Sequence, residues 1–308
     1  MLRTFFVRLS ENPSLRKFAE SSSLGRRVSG RFVAGTGIAD AVRATQAINR
    51  TGMSVSIDNL GENVTNPDEA RHSSQLYHQI LDAIASSQLN ANISLKLTHM
   101  GLDVDESLAR QLVSGLVTRA ASMKPPGFVR VDMEGSPYTQ RTLDFVHELH
   151  RMPGNANSVG TVIQAYLKRS EADIDKLLSE GIRIRLCKGA YKESADIAFE
   201  AKSDVDANYI KLMKTLMKSG FYHGLATHDE NIVREAQAFA THEKLPRDSF
   251  EFQMLYGIRR DLQQSLVRQG WRVRVYIPFG TEWYPYFMRR LGERPANVLF
   301  IVRNFLRP

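Results

Sequence analysis

The stretch Val159-Gly-Thr-Val-Ile-Gln-Ala-Tyr166 is followed by Ser170 ahead of Glu171 and Asp173, by Gly181, and by a second apolar run, Ile182-Arg-Ile-Arg-Leu-Cys187. An apolar run, a helix opened by a serine with acids in its first turn, a closing glycine and another apolar run make one complete β-α-β unit. The rhythm extends both ways, with further β-like runs at 53–60, 93–97, 128–133, 224–227, 250–255 and 273–277. Between them lie helical stretches with their own punctuation. Asn66-Pro67-Asp68-Glu69 is a helix start, Ser203 has Asp206 three residues on and Gly220 beyond the end, and Gly270 closes the helix before the last run.

Eight β-α units at a spacing of roughly 30 residues, without a low-complexity linker, predict an α/β chain forming a distorted (β/α)8 TIM-type barrel. A doubly wound sheet would rarely need eight regular repeats. The expected division is a helical segment over residues 1–45 packed on a catalytic barrel over 46–308.

Composition narrows the class. The 308 residues are 43% hydrophobic, enough for a sizeable core. No apolar run approaches the roughly 20 residues of a membrane-spanning helix. The single cysteine, Cys187, excludes an intramolecular disulfide and suits a reducing compartment, so a cytoplasmic location is expected. A formal charge of +8 would suit an anionic partner, yet the basic residues are interleaved with acids and form no nucleic-acid motif. A basic nucleic-acid-binding barrel is the alternative set aside on that pattern. At the N-terminus Leu2, Phe5, Phe6 and Leu9 share a helical face, which reads as a helix packed on the main domain. Peripheral contact with the inner face of the cytoplasmic membrane is the other reading.

Barrel active sites lie at the C-terminal strand ends and in the loops that follow. The polar residues there are Glu62, Lys96 and His99, Asp132 and Glu134, Gln164, Arg185 and Lys188, Thr227, His228 and Asp229, Tyr256 and Tyr276. A charge embedded in an apolar strand costs several kcal/mol unless it is paired or binds a ligand. Lys96 and Asp132 hold equivalent positions on neighbouring strands, either as a self-satisfying pair or as a polar floor for a ligand. Strand alternation puts Arg183 and Arg185 on one side, and Lys188 with the Gly-Ala turn beyond could receive an anion. Near the end, Tyr286, Arg289, Arg290 and Glu293 share one face of a last helix. Two guanidinium groups beside aromatic rings are equipped for a small carboxylate with an apolar body.

Two patterns are decoys. Gly35-Thr-Gly37 lacks the third glycine of a dinucleotide fingerprint, and His147 and His150 are three apart where a zinc helix needs four. No metal site is expected.

The runs Ser94-Leu-Lys-Leu-Thr, Val129-Arg-Val-Asp-Met-Glu, Val162-Ile-Gln-Ala-Tyr-Leu-Lys-Arg, Arg183-Ile-Arg-Leu-Cys-Lys-Gly-Ala-Tyr, Ala226-Thr-His-Asp, Phe250-Glu-Phe-Gln-Met-Leu-Tyr-Gly and the terminal Tyr-x-x-Arg-Arg-Leu-x-Glu appear in the order found in one family. On them the chain closely resembles the proline dehydrogenase (proline oxidase) family, and its length is similar to that of the small monofunctional bacterial members. The resemblance implies non-covalent FAD, oxidation of L-proline to Δ1-pyrroline-5-carboxylate by hydride transfer from C5 to flavin N5, and a quinone acceptor. This is the first step of proline catabolism to glutamate.

It also implies roles. Arg289 and Arg290 resemble a carboxylate clamp with Lys96 as a third cation. Tyr276, Tyr286 and Leu255 resemble the cover over the pyrrolidine ring. Arg185 resembles the cation at flavin N5, and Asp132 the acid beneath the substrate. Met133, Gln164, Lys188, Gly189, Ala190, Tyr191, Thr227 and His228 resemble flavin-shell positions, and Glu62 with Arg289 resembles a gate. Hydroxyproline oxidation is the nearest alternative, against which Tyr276 argues, since members favouring that substrate tend to carry a smaller residue there.

Overall fold

The structure is a computed structural model that describes residues 30–61 and 63–293, the side chains of 289–293 excepted. The N-terminal apolar face of Leu2, Phe5, Phe6 and Leu9, the residue Glu62 and the side chains of Arg289 and Arg290 therefore lie outside the described part.

Eight parallel strands, each hydrogen-bonded to the next and the last to the first, form a closed barrel. They are β1 (Ser54–Asn59), β2 (Ala91–Leu95), β3 (Val129–Val131), β4 (Val159–Gln164), β5 (Arg183–Cys187), β6 (His223–Ala226), β7 (Phe250–Leu255) and β8 (Val273–Phe279). Each falls within a predicted run or extends past its edge by one or two residues. The described helices are α1 (Ile38–Asn49), α2 (Pro67–Ser86), α3 (Glu106–Ala121), α4 (Ser136–Arg151), α5 (Ser170–Ser179), α6 (Lys202–Lys218), α7 (Glu230–His242), α8 (Arg260–Arg268) and α9 (Trp283–Glu293). Helix α1 packs on β1 and β8 and runs across residue 45 without a break.

Local chemistry sets the helix ends. Asn66 Oδ1 accepts the Glu69 N–H at 3.0 Å and the Glu69 carboxylate accepts the Thr65 N–H at 2.8 Å, so α2 begins with its orphan donors satisfied from both sides. Asp105 and Asp229 cap α3 and α7 in the same manner. Two expected caps differ. Ser170 is the first residue of α5 and donates its hydroxyl to the Gln164 carbonyl at 2.6 Å, while Ser203 lies inside the first turn of α6, which has no side-chain cap. A serine cap needs non-helical backbone, and neither serine has it. Gly37 precedes α1, where the Asp40 carboxylate takes the Thr36 and Gly37 N–H groups. The Gly-x-Gly decoy is thus a helix start.

The period-2 pattern of the strands sorts them into two unlike faces. Val55, Ile57, Ile93, Leu95, Val129, Val131, Ile184, Leu186, Phe252 and Val275 join buried helix residues in one apolar cluster between strands and helices. The alternate residues fill the lumen, and there Ser56, Ser94, Arg130, Arg185, Glu251, Gln253, Arg274 and Tyr276 bond to one another, to Asp132 just past β3 or to the strand backbone. Barrel interiors are ordinarily filled by branched apolar residues. Here a polar column replaces them.

Such a column needs space for long side chains. A Cβ at Gly160 would lie 2.3 Å from the Arg183 carbonyl oxygen and 2.8 Å from Arg130 Nη1, and one at Gly224 would lie 2.2 Å from Gln253 Nε2. Gly160→Ala is expected to lower the unfolding free energy by about 1 to 3 kcal/mol, read from the urea midpoint, because one of the blocking atoms is backbone and cannot swing away.

Candidate active site

The upper half of the lumen converges on Arg185, which is 6% exposed. Its Nη1 donates to Asp132 Oδ1 at 2.7 Å, its Nη2 to the hydroxyls of Ser56 at 3.2 Å and Ser94 at 3.1 Å, and its Nε to Gln253 Oε1 at 2.5 Å. Segments β1, β2, β5, β7 and the residue after β3 thus fix one guanidinium from all sides. The other Asp132 oxygen accepts the Tyr276 hydroxyl at 2.9 Å, and the Tyr276 ring sits 5.2 Å from the guanidinium carbon. Burial, then the Asp132 and Asp58 carboxylates, push the Tyr276 phenol well above its ordinary pKa, so it stays a donor.

Lys96 and Asp132 do not pair with each other. Lys96 Nζ lies 3.4 Å from Asp58 Oδ2, and Asp58 also accepts the Tyr77 hydroxyl at 3.1 Å. Burial raises the Asp58 carboxyl above its usual range, with Lys96 acting in the opposite direction. Asp58 is a site residue beyond those expected from the sequence, and its signal was a carboxylate at the inward position of Val-Ser-Ile-Asp. Gln253 and Glu251, inside Phe250-Glu-Phe-Gln-Met-Leu, join the same network, and strand alternation was the signal for them.

Around this centre, Met133, Gln164 and Thr227 are buried at the ends of β3, β4 and β6. Gln164 donates Nε2 to the Glu134 carbonyl at 2.9 Å, while its Oε1 is buried with no partner among the described residues. That leaves one buried acceptor awaiting a donor. Glu134 itself receives the Thr98 N–H at 3.1 Å and hydroxyl at 2.6 Å, which anchors the β3–α4 loop to the β2 end. His228 Nε2 accepts the Leu255 N–H at 2.9 Å, so the imidazole braces the end of β7.

The Lys188-Gly-Ala-Tyr191 turn is built on a left-handed glycine, Gly189 at φ +113°, whose missing Cβ would strike the Tyr166 ring at 2.1 Å. Lys188 is already matched by Asp206 at 2.5 Å and Asp229 at 2.9 Å, partners that sequence spacing does not reveal. Ala190 and Tyr191 are exposed on this rim. At the end of β7, Leu255 packs against the apolar cluster containing Tyr286, Trp283, Phe287 and Phe32, so α9 lies beside the end of that strand. The backbone of α9 carries residues 286, 289 and 290 in one helix, as the spacing predicted.

His99 is buried near Tyr77, 6.4 Å between rings, against a face where Gly61 leaves no space for a Cβ. His147 and His150 lie outside the barrel on α4, tied to Glu180.

Charged and polar side chains from most of the strands meet at the C-terminal half of a closed parallel barrel, which defines an enzyme of the (β/α)8 class. A family model described as proline dehydrogenase matches residues 41–303. Relatives include proline dehydrogenase 1 of Bacillus subtilis (strain 168), 41% identical over 309 residues and covering 100% of both chains. The proline dehydrogenase of Deinococcus radiodurans is 36% identical over 314 residues, covering 100% of this chain and 98% of its own. A crystal structure of proline utilization A from Bdellovibrio bacteriovorus, inactivated by N-propargylglycine, shares the fold at a TM-score of 0.80 and 24% identity. It aligns over 87% of this chain and 32% of that longer one. The chain belongs to the proline dehydrogenase family.

Two buried histidines make the fold acid-sensitive. Burial, helped by Lys96 and His72, lowers His99 to about 4, and burial with Arg130 and Arg183 lowers His223 to about 3. His223 Nδ1 accepts the Ile184 N–H at 3.0 Å, a bond that protonation removes. Between an unfolded value of 6.5 and these folded values the unfolded chain binds more protons, so stability falls as pH drops through that window. The loss is expected to reach up to about 1.4 kcal/mol per pH unit for each histidine. Urea unfolding from pH 7 downward should show this slope, and His223→Asn, which keeps an acceptor without a titrating ring, should flatten it.

Proposed function

We propose that this chain oxidises L-proline to Δ1-pyrroline-5-carboxylate with a non-covalently bound FAD and passes the electrons to a quinone, in the first step of proline breakdown toward glutamate. The observation that carries the reading is the Arg185 centre: a guanidinium locked by Asp132, Gln253, Ser56 and Ser94 directly beneath the Tyr276 ring. A flavin, when bound, supplies the electron sink that side chains lack.

The residues suit such a group. Gln164 Oε1 is a buried acceptor without a partner among the described residues, suited to a ring N–H. Met133 and Thr227 are buried just past the ends of β3 and β6, and the Lys188-Gly189-Ala190-Tyr191 rim and His228 complete the proposed shell. Arg185, immobile and cationic, is placed to stabilise negative charge that builds up on reduction.

For the substrate, Lys96 held by Asp58 marks one cationic edge and Arg289 and Arg290 on α9 supply the other two. Tyr276, Tyr286 and Leu255 provide apolar cover for a five-membered ring. Tyr276 is held by Asp132, which fixes the ring against rotation out of the cover. Glu62 is assigned to pair with Arg289 as a gate that closes when substrate binds.

The absorption spectrum of the purified protein is the direct test: flavin bands that bleach with proline under anaerobic conditions support the reading, and a colourless protein that gains no activity with added FAD rejects it. Arg290→Met should raise the proline KM about tenfold or more with flavin retained, since a lost charged hydrogen bond is worth roughly 1.5 to 3 kcal/mol. An unchanged KM removes Arg290 from the clamp.

A further inference from the structure

The opposite, N-terminal mouth of the barrel carries a second concentration of charge that the catalytic reading leaves unused. Arg183 opens β5, Arg274 lies one residue inside β8, Arg272 precedes β8, and Arg130 lies in β3. They surround or underlie a cavity of ≈ 590 Å³ whose lining includes Arg183, Arg272, Arg274, Phe221, Tyr222 and Glu180.

The carboxylates there are already committed. Glu251 receives Arg274 Nε at 2.6 Å, Gln253 Nε2 at 2.6 Å and the Tyr222 hydroxyl at 2.9 Å, and although burial pushes its carboxyl up, Arg274 together with the Tyr222 and Gln253 hydrogen bonds keeps it below the usual range. Asp248 is 3.3 Å from Arg272, and Glu180 is taken by Arg151 and His147. Among the described residues neither Arg183 nor Arg130 forms an ion pair with a carboxylate, and Glu251 reaches both only through its field. Arg130 is buried and turns Nη1 to the carbonyls of Thr161 and Arg183. The only side-chain hydrogen bond of Arg183 runs from Nε to the Tyr222 carbonyl at 3.3 Å, so both terminal nitrogens lack a protein acceptor among the described residues.

Arg183 is also held in place. Its guanidinium carbon lies 4.3 Å from the Phe128 ring centre and 5.1 Å from that of Tyr222, a stacking that orients the fork while leaving its donors open. Burial holds this half-buried cation below its ordinary pKa, and Glu251, which acts against that through its field, is already bonded by Arg274 and Tyr222. Phe221, 43% exposed, adds an apolar wall.

We infer that the N-terminal mouth is a binding site for a small organic anion, a phosphate or carboxylate gripped by the open fork of Arg183, with Arg272 and Arg274 adding positive field and Phe221 and Tyr222 flanking its body. The planar fork favours two-oxygen anions, and the cavity exceeds what a bare ion fills, within the size range of ligand pockets. The site lies at the end of the strands away from Arg289 and Arg290, so it is separate from the proposed clamp.

The test uses the full-length protein and three probes, inorganic phosphate, succinate and adenosine 5′-monophosphate, titrated by calorimetry at constant ionic strength. At least one probe should bind saturably, at one per chain, and bind equally well to Arg290→Met. Arg183→Lys and Arg272→Gln should each weaken that binding about tenfold or more. Arg272 has a side chain 55% exposed and serves as the variant that leaves folding intact if Arg183→Lys does not. Binding of phosphate and the nucleotide but not succinate makes the ligand a phosphate, and the reverse makes it a carboxylate. No saturable binding by any probe below about 10 mM, an affinity that neither variant changes, or loss of binding in Arg290→Met overturns the inference.

Discussion

The buried pair of Arg185 and Asp132 is the interaction on which the rest of this barrel depends. A guanidinium in the centre of a closed sheet cannot be left unsolvated, and its five donors must meet acceptors at fixed directions. Ser56, Ser94 and Gln253 from separate strands and Asp132 just past β3 take four such bonds, so the barrel's register is fixed by hydrogen bonds as much as by packing. A slip of one residue between two strands would turn a ligand of Arg185 toward the helices and bring an apolar side chain into the lumen.

The column continues from that centre to both ends. Gln253 links Arg185 to Glu251, Glu251 links to Arg274, and Asp132 links upward to Tyr276. The upper end presents cations and an aromatic ring where the proposed chemistry occurs, and the lower end presents an open arginine fork. Hydrophobic stabilisation is displaced outward, to the cluster between strands and helices. Rigidity at the centre and apolar burial at the periphery are therefore supplied by different faces of the same strands.

Much of this was legible from the residues. Apolar runs bounded by Gly181, Gly220 and Gly270, each left-handed in the structure, located strands and helix ends, because those signals are local. Asn66 with Pro67 marked the start of α2 for the same reason. The serines at 170 and 203 misled because either one could cap or lie inside the first turn, and only backbone geometry decides. The strand-end residues were also readable by type, but their partners were not: Lys96 belongs to Asp58, and Lys188 to Asp206 and Asp229. Pairing depends on cross-strand register and on where helices return to the sheet, and a linear chain displays neither.

The polar lumen also bears on how the chain reaches this state. The groups around Arg185 are separated from it by 53 to 129 positions along the chain, and they come from both halves of the barrel. A half-barrel would therefore hold an unmatched ion or a set of unmet hydroxyls, in place of the self-contained apolar layer that lets some repeat proteins grow unit by unit. Such a molecule closes late and as a whole, through contacts of high sequence separation, and two fragments cut between β4 and β5 would each be poor solitary folders yet chemically complementary to one another.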